Sequence, residues 1–123
     1  MRELTPALGP YSHFKCYDSL VFASGQIPID ADGKVYSDVP IDVQTRLALE
    51  NLSAVFEAAG ASLEKALKVN IYLRCLADMN DFAAMNEVYK SFFPRGVYPA
   101  RCCVEVSRLA DGIAIEIDGI AHM

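Results

Sequence analysis

The chain has 123 residues, 11 basic and 16 acidic, for a formal net charge of −5, so a phosphate-tracking surface would have to be built against the net field and nucleic acid is an unfavoured partner. This length implies one domain, residues 1–123, able to bury about two thirds of its unfolded surface without disulfides or metals. No apolar run reaches the roughly 18–20 residues of a membrane span, and Met1-Arg2-Glu3-Leu4-Thr5-Pro6 lacks the apolar core of a signal peptide, so the expectation is a soluble intracellular protein, cytoplasmic or organellar.

In such a compartment cysteines 16, 75, 102 and 103 should stay reduced, and their spacing contains no paired C-x-x-C zinc pattern. Pro6 and Gly9-Pro10 make the first ten residues an extended arm, with Tyr11 directly after it. Phe14 to Tyr17 and Leu20 to Gly25 are short β-prone runs split by Asp18-Ser19, which predicts a hairpin. Asp30-Ala31-Asp32-Gly33 has the look of a calcium loop but lacks the third acidic ligand and the distal glutamate, so it reads as a turn.

Helical periodicity takes over between Pro40 and Gly60. Ala48, Leu52, Val55 and Ala59 form a stripe widened by Leu49 and Phe56, with Pro40 suited to the first turn and Gly60 to the C-cap. Asn51-Leu52-Ser53 inside that pattern matches a glycosylation triplet by chance. From Leu67 to Arg74 the chain alternates, with Leu67, Val69, Ile71 and Leu73 on one side and Lys68, Asn70, Tyr72 and Arg74 on the other. Asp78 can cap a second helix with the stripe Phe82, Met85, Tyr89 and Phe92 or Phe93, ended by Pro94 and Gly96.

Two further strand-like runs flank a turn at Ala110-Asp111-Gly112. In the first, Cys102, Val104 and Val106 are expected to meet the core, leaving Arg101, Cys103, Glu105 and Ser107 on the other face; in the second, Ile113, Ile115 and Ile117 oppose Glu116 and Asp118. The order ββαβαββ gives an α+β fold, a sheet with two helices on one face. The uncovered face, expected to carry Arg101, Cys103, Tyr72 and Glu116, mixes polar and apolar character, which suits burial against copies of the same chain.

P-A-R-C-C-V-E-V-S-R-L at 99–109 and I-E-I-D-G-I-A at 115–121, with G-P-Y at 9–11, A-S-G-Q-I-P at 23–28 and D-F-A-A-M-N-E-V-Y at 81–89, resemble the RidA/YjgF family across nearly the whole chain. The resemblance implies a chorismate-mutase-like homotrimer with a mixed sheet and sites at its subunit interfaces. It implies hydrolysis of reactive 2-enamines and 2-imines such as 2-aminoacrylate to 2-keto acids and ammonia, with no cofactor and no metal. The family's carboxylate-binding arginine matches Arg101, its neighbouring cysteine Cys103 and its acid near the attacking water Glu116, while Tyr11, Ser24, Gly25, Gln26 and Asn86 match positions lining the cleft. Two departures stand out: Cys102, where a smaller residue such as serine is expected, and His13, where glutamine is common, a change that bears on selectivity at the mouth of the site.

The chemistry fits the residue types. A guanidinium offers two parallel donors to a planar carboxylate, each charge-assisted bond contributing about 1.5–3 kcal/mol when desolvated. The plainer role for Arg101 is an ion pair with Glu105 or Glu116, and for Glu116 a solvated strand position. Glu116 as general base must reach a water held against the imine carbon. Neither His13 nor His122 is placed by the sequence to activate a thiolate, so Cys103 reads as shaping the pocket and orienting substrate or water through its backbone. Two other functions stay open: an endoribonuclease or translation inhibitor, against which stand the acidic charge and the lack of a histidine pair, and a non-catalytic trimer that senses a metabolite and could dispense with Glu116.

Overall fold

The computed structural model describes residues 4–74 and 79–123. Among them run β1 (Phe14–Tyr17), β2 (Leu20–Gln26), α1 (Ile41–Ala58), β3 (Ala66–Arg74), α2 (Met79–Ser91), β4 (Ala100–Val106) and β5 (Ile115–His122), with short 3-10 turns at Leu63–Lys65 and Ala110–Gly112. This is the expected ββαβαββ order. The strands form one mixed sheet in the order β1-β2-β5-β3-β4, in which β3 and β4 pair in parallel across the α2 crossover and the other pairs are antiparallel. The last two strands therefore make no hairpin, because β3 lies between them.

The β1–β2 hairpin turns at Asp18, whose φ of 52° is a left-handed conformation that aspartate tolerates. On α1 the stripe Ala48, Leu49, Leu52, Val55 and Phe56 is fully buried against the sheet. Full burial of side chains such as Leu49, Phe56, Ile71 and Ile117 contributes roughly 1.5–3 kcal/mol each, which holds the helix layer in place. The C-cap is Ala59 rather than Gly60: Gly60 follows it at φ 86°, its N–H donating to Glu57 O (3.1 Å) and that of Ala61 to Phe56 O (2.8 Å). On α2 Met85 and Tyr89 are buried, as is Phe93 just beyond its end; the Asp78 cap expected for this helix lies outside the described residues. No described helix is long and apolar enough to cross a membrane.

Strand register fixes which side chains share a face, and it corrects the sequence reading of β4. Ile71 lies opposite Ile117 and Cys103, and Val69 opposite Gly119 and Arg101, so Arg101 and Cys103 stand on the helix-covered side. Tyr72 lies opposite Glu116 and Val104, and Asn70 opposite Asp118 and Cys102, so these occupy the uncovered side. Cys102 and Val104 are exposed rather than in the core. The physical reason is that β4 is the edge strand: its helix-side residues reach the flank of α2 instead of the core, while its apolar alternation marks the side the helices do not cover. The expectation that Arg101, Cys103, Tyr72 and Glu116 share a face is therefore wrong.

Leu67 is also displaced from the core, with 47% of its surface exposed, because the β3–β5 register shifts between Ala66 and Lys68. Two buried amides invisible to the hydrophobic pattern lock the helix layer to the loops. Gln44 donates to Val39 O (3.0 Å) and accepts from Ala114 N (2.8 Å). Asn51 donates to Ile27 O (2.8 Å) and Ile29 O (2.9 Å), fixing the segment that leaves β2. The calcium-like segment is a turn, in which Asp30 Oδ1 accepts from the backbone of Asp32 (3.0 Å) and Lys34 (2.9 Å).

Candidate active site

The predicted site residues fall into two groups. In the first, Arg101 leans from β4 onto α2, where its Nη1 donates to Asn86 Oδ1 (2.7 Å) and its Cζ lies 4.9 Å from the Tyr89 ring centroid. Both partners are uncharged. They line a pocket of about 290 Å³ with Lys90, Tyr98, Pro99 and Arg101. Burial pushes the Tyr89 hydroxyl up to about 12, with the Arg101 charge pulling the other way. Cys103, two residues on from Arg101, packs against the core, and burial raises its thiol above the ordinary range although Arg101 opposes the shift. A raised thiol stays protonated, which argues against a thiolate nucleophile.

The second group lies on the uncovered face and along the N-terminal arm. Glu116 is half-buried on β5, and burial first, then the charge of Asp118, raises its carboxyl above the usual range. Asp118 is fixed by Asn70 Nδ2 (2.8 Å) and the Tyr72 hydroxyl (3.0 Å), both donating to it. The Glu116 carboxylate lies across Gly25, where a Cβ would overlap Oε2 and stand 2.9 Å from Cδ. Gly25 sits in the β2 irregularity between Ala23 and Gln26, so the glycine and the register shift together admit the acid to that spot.

Ser24 Oγ donates to Ser12 O (2.5 Å) and Gln26 Nε2 to Ser24 O (3.1 Å), which ties this loop to the arm. Tyr11, at the end of the arm, is partly exposed, and its hydroxyl accepts from Leu8 N (3.3 Å). His13 is a latch. Its Nε2 faces Thr5 O (2.6 Å), and since a carbonyl only accepts, that nitrogen carries hydrogen, leaving Nδ1 of the neutral ring to accept from Gln26 Nε2 at 3.4 Å. His13 therefore joins the arm that carries Tyr11 to the loop that carries Gln26.

Arg101, Asn86 and Cys103 are thus brought together, and so are Glu116, Ser24, Gly25, Gln26 and Tyr11, but the two groups are kept apart. Arg101 and Glu116 stand on opposite faces and two strand spacings apart, about 10 Å across the sheet. The sequence reading missed Asp118 as the neighbour that tunes Glu116, although the two-residue spacing on one strand face was a usable signal. It also missed the Asn70–Tyr72 clamp, which only non-local pairing creates, and the pocket face of Tyr89, read as core. Among the described residues no three His, Cys, Asp or Glu side chains gather as a metal-ligand set.

The chain is similar to known proteins over almost its whole length. Residues 2–123 match the family described as Endoribonuclease L-PSP. A RutC family protein of Pyrococcus horikoshii is 48% identical over 115 residues, covering 94% of this chain and 88% of the relative. The 2-iminobutanoate/2-iminopropanoate deaminase of Salmonella typhimurium is 42% identical over 118 residues, covering 94% and 88%. Among solved structures, Escherichia coli TdcF with bound serine superposes with a TM-score of 0.87 at 41% identity, over 98% of this chain and 93% of that one. The chain belongs to the Endoribonuclease L-PSP family, which includes the RidA/YjgF proteins, and its mixed five-stranded sheet with two helices is theirs.

Proposed function

We propose that the protein hydrolyses 2-imino acids, and the enamines that tautomerise to them, to 2-keto acids and ammonia at sites shared between neighbouring chains of a homotrimer. The observation that carries this reading is the division of labour across the sheet: a guanidinium held by uncharged partners at a pocket, and a carboxyl raised above its usual range on the opposite face. One chain cannot present both to one small molecule, but a neighbour seated on the uncovered face could bring its Arg101 pocket to this chain's Glu116. The exposed Phe22 and Val104 and the partly covered Ile120 on that face are apolar groups such a neighbour would bury.

The substrate carboxylate would bind the Arg101 fork, and the loop of Ser24, Gly25 and Gln26 with Tyr11 would close the other side. Glu116 in its carboxylate form takes a proton from water as the oxygen bonds to the iminium carbon. The proton then passes to nitrogen, the C–N bond breaks, and ammonia leaves as the carbonyl forms, so that C=NH2+ and H2O give C=O and NH4+. A base raised toward neutral pH suits both the removal and the return of that proton. Relatives support the chemistry by name: one is a 2-iminobutanoate/2-iminopropanoate deaminase and another carries bound serine, whose carboxylate and α-nitrogen resemble those of the substrate class.

A ribonuclease reading finds less support. His13 is engaged with Thr5 and Gln26, and the net charge is −5. The test is a coupled assay in which a serine or threonine dehydratase generates the imine and ammonia release is followed. Acceleration over the spontaneous rate is expected; a rate equal to the buffer control contradicts the reading and favours the metabolite sensor.

A further inference from the structure

Resting on the hydrolase reading, we propose that the Arg101 pocket prefers 2-imino acids bearing a second carboxylate, and that Lys90 is the residue that selects them. Asn86 and Lys90 are four residues apart on α2, so they share one helix face about 6 Å apart along the axis. Arg101 is anchored at the Asn86 end, and a carboxylate seated on Arg101 has Lys90 one turn further along the same wall. In a chain of net charge −5 this pocket gathers two cations, and its remaining walls, Asn86, Tyr89, Tyr98 and Pro99, include no acid. Glu87 belongs to the adjoining crevice beyond Lys90.

The two carboxylates of an extended four- or five-carbon diacid lie about 4–5 Å apart, a span that the flexible lysine ammonium covers from one turn away. Tyr89 forms the inner wall: it is 4% exposed, lines the pocket and presents its ring to the Arg101 guanidinium at 4.9 Å.

The test compares wild type, Lys90→Gln and Lys90→Glu in two measurements. The first is calorimetric affinity for 2-oxoglutarate against 2-oxobutyrate, stable product analogues with and without the second carboxylate. The second is hydrolysis of the two corresponding imines, generated in place by an amino-acid oxidase. Because Lys90 is exposed, the expected wild-type preference for 2-oxoglutarate is about three- to tenfold. It should vanish in Lys90→Gln, invert in Lys90→Glu and shrink at high salt, which a merely structural lysine would not produce. No preference in wild type, or one that survives in Lys90→Gln, overturns the assignment. Lysine-dependent binding with neither imine hydrolysed would sink the hydrolase reading and keep the pocket's selectivity; hydrolysis of both imines independent of Lys90 would do the reverse.

Discussion

The two groups of site residues solve opposite electrostatic problems. Arg101 lies on the edge strand, open to solvent, with an amide oxygen and an aromatic face as partners, so its fork is available to an anion. Glu116 lies two strands inward, half-buried beside a second carboxylate that is itself fixed, so its charge is disfavoured. In the proposed function the first arrangement binds and the second moves protons. Because they stand on opposite faces of one sheet, the site proposed above would be complete only in an assembly of chains.

The comparison breaks most visibly at Glu116. Glutamine keeps the shape and cannot accept a proton, so Glu116→Gln should lower kcat by about two to four decades while leaving 2-oxobutyrate affinity within a few-fold. Calorimetry beside single-turnover hydrolysis separates the two quantities, and equal losses in both would mean that Glu116 shapes the site instead of acting in it. Arg101→Lys should act on the other half. Lysine keeps the charge but loses the planar fork, so kcat/KM should fall by about one to three decades, with weakened keto-acid binding. Near-normal kinetics would leave Arg101 only its contacts with Asn86 and Tyr89.

How much of this was readable from the sequence depends on where each residue lies. The α1 stripe and the Val69, Ile71, Leu73 alternation follow directly from period, because those positions face a continuous core. On β4 the same alternation identified two distinct faces but exchanged their environments, since an edge strand's apolar side need not face its own helices. Leu67 failed for a related reason, a register shift that no local pattern announces. Arg101 and Glu116 were reached through family motifs. Their placement on opposite faces, and the clamp on Asp118 by residues 48 and 46 positions away, are products of strand pairing and lay beyond local reasoning.

A smaller effect sharpens the electrostatic contrast. With Glu116 as the proposed base and its pKa raised, kcat/KM should fall as pH drops through that pKa, where the carboxylate becomes protonated. Asp118→Asn removes the like charge while burial, the larger cause, remains. The acid limb should then move to lower pH by less than about one unit, equivalent to under about 1.4 kcal/mol. An unchanged limb, or one moved upward, would show that Asp118 does not tune the base.

The central claim, that each site takes Arg101 from one chain and Glu116 from its neighbour, is tested by mixing two inactive variants. Arg101→Ala and Glu116→Gln chains carrying different affinity tags are co-expressed, and the assemblies are sized by native mass spectrometry and assayed. In randomly mixed trimers about a quarter of all sites would pair an intact arginine with an intact glutamate, so about a quarter of wild-type imine hydrolysis should return. Mixed trimers no more active than either parent, or a protein that remains a monomer at micromolar concentration, would contradict the account.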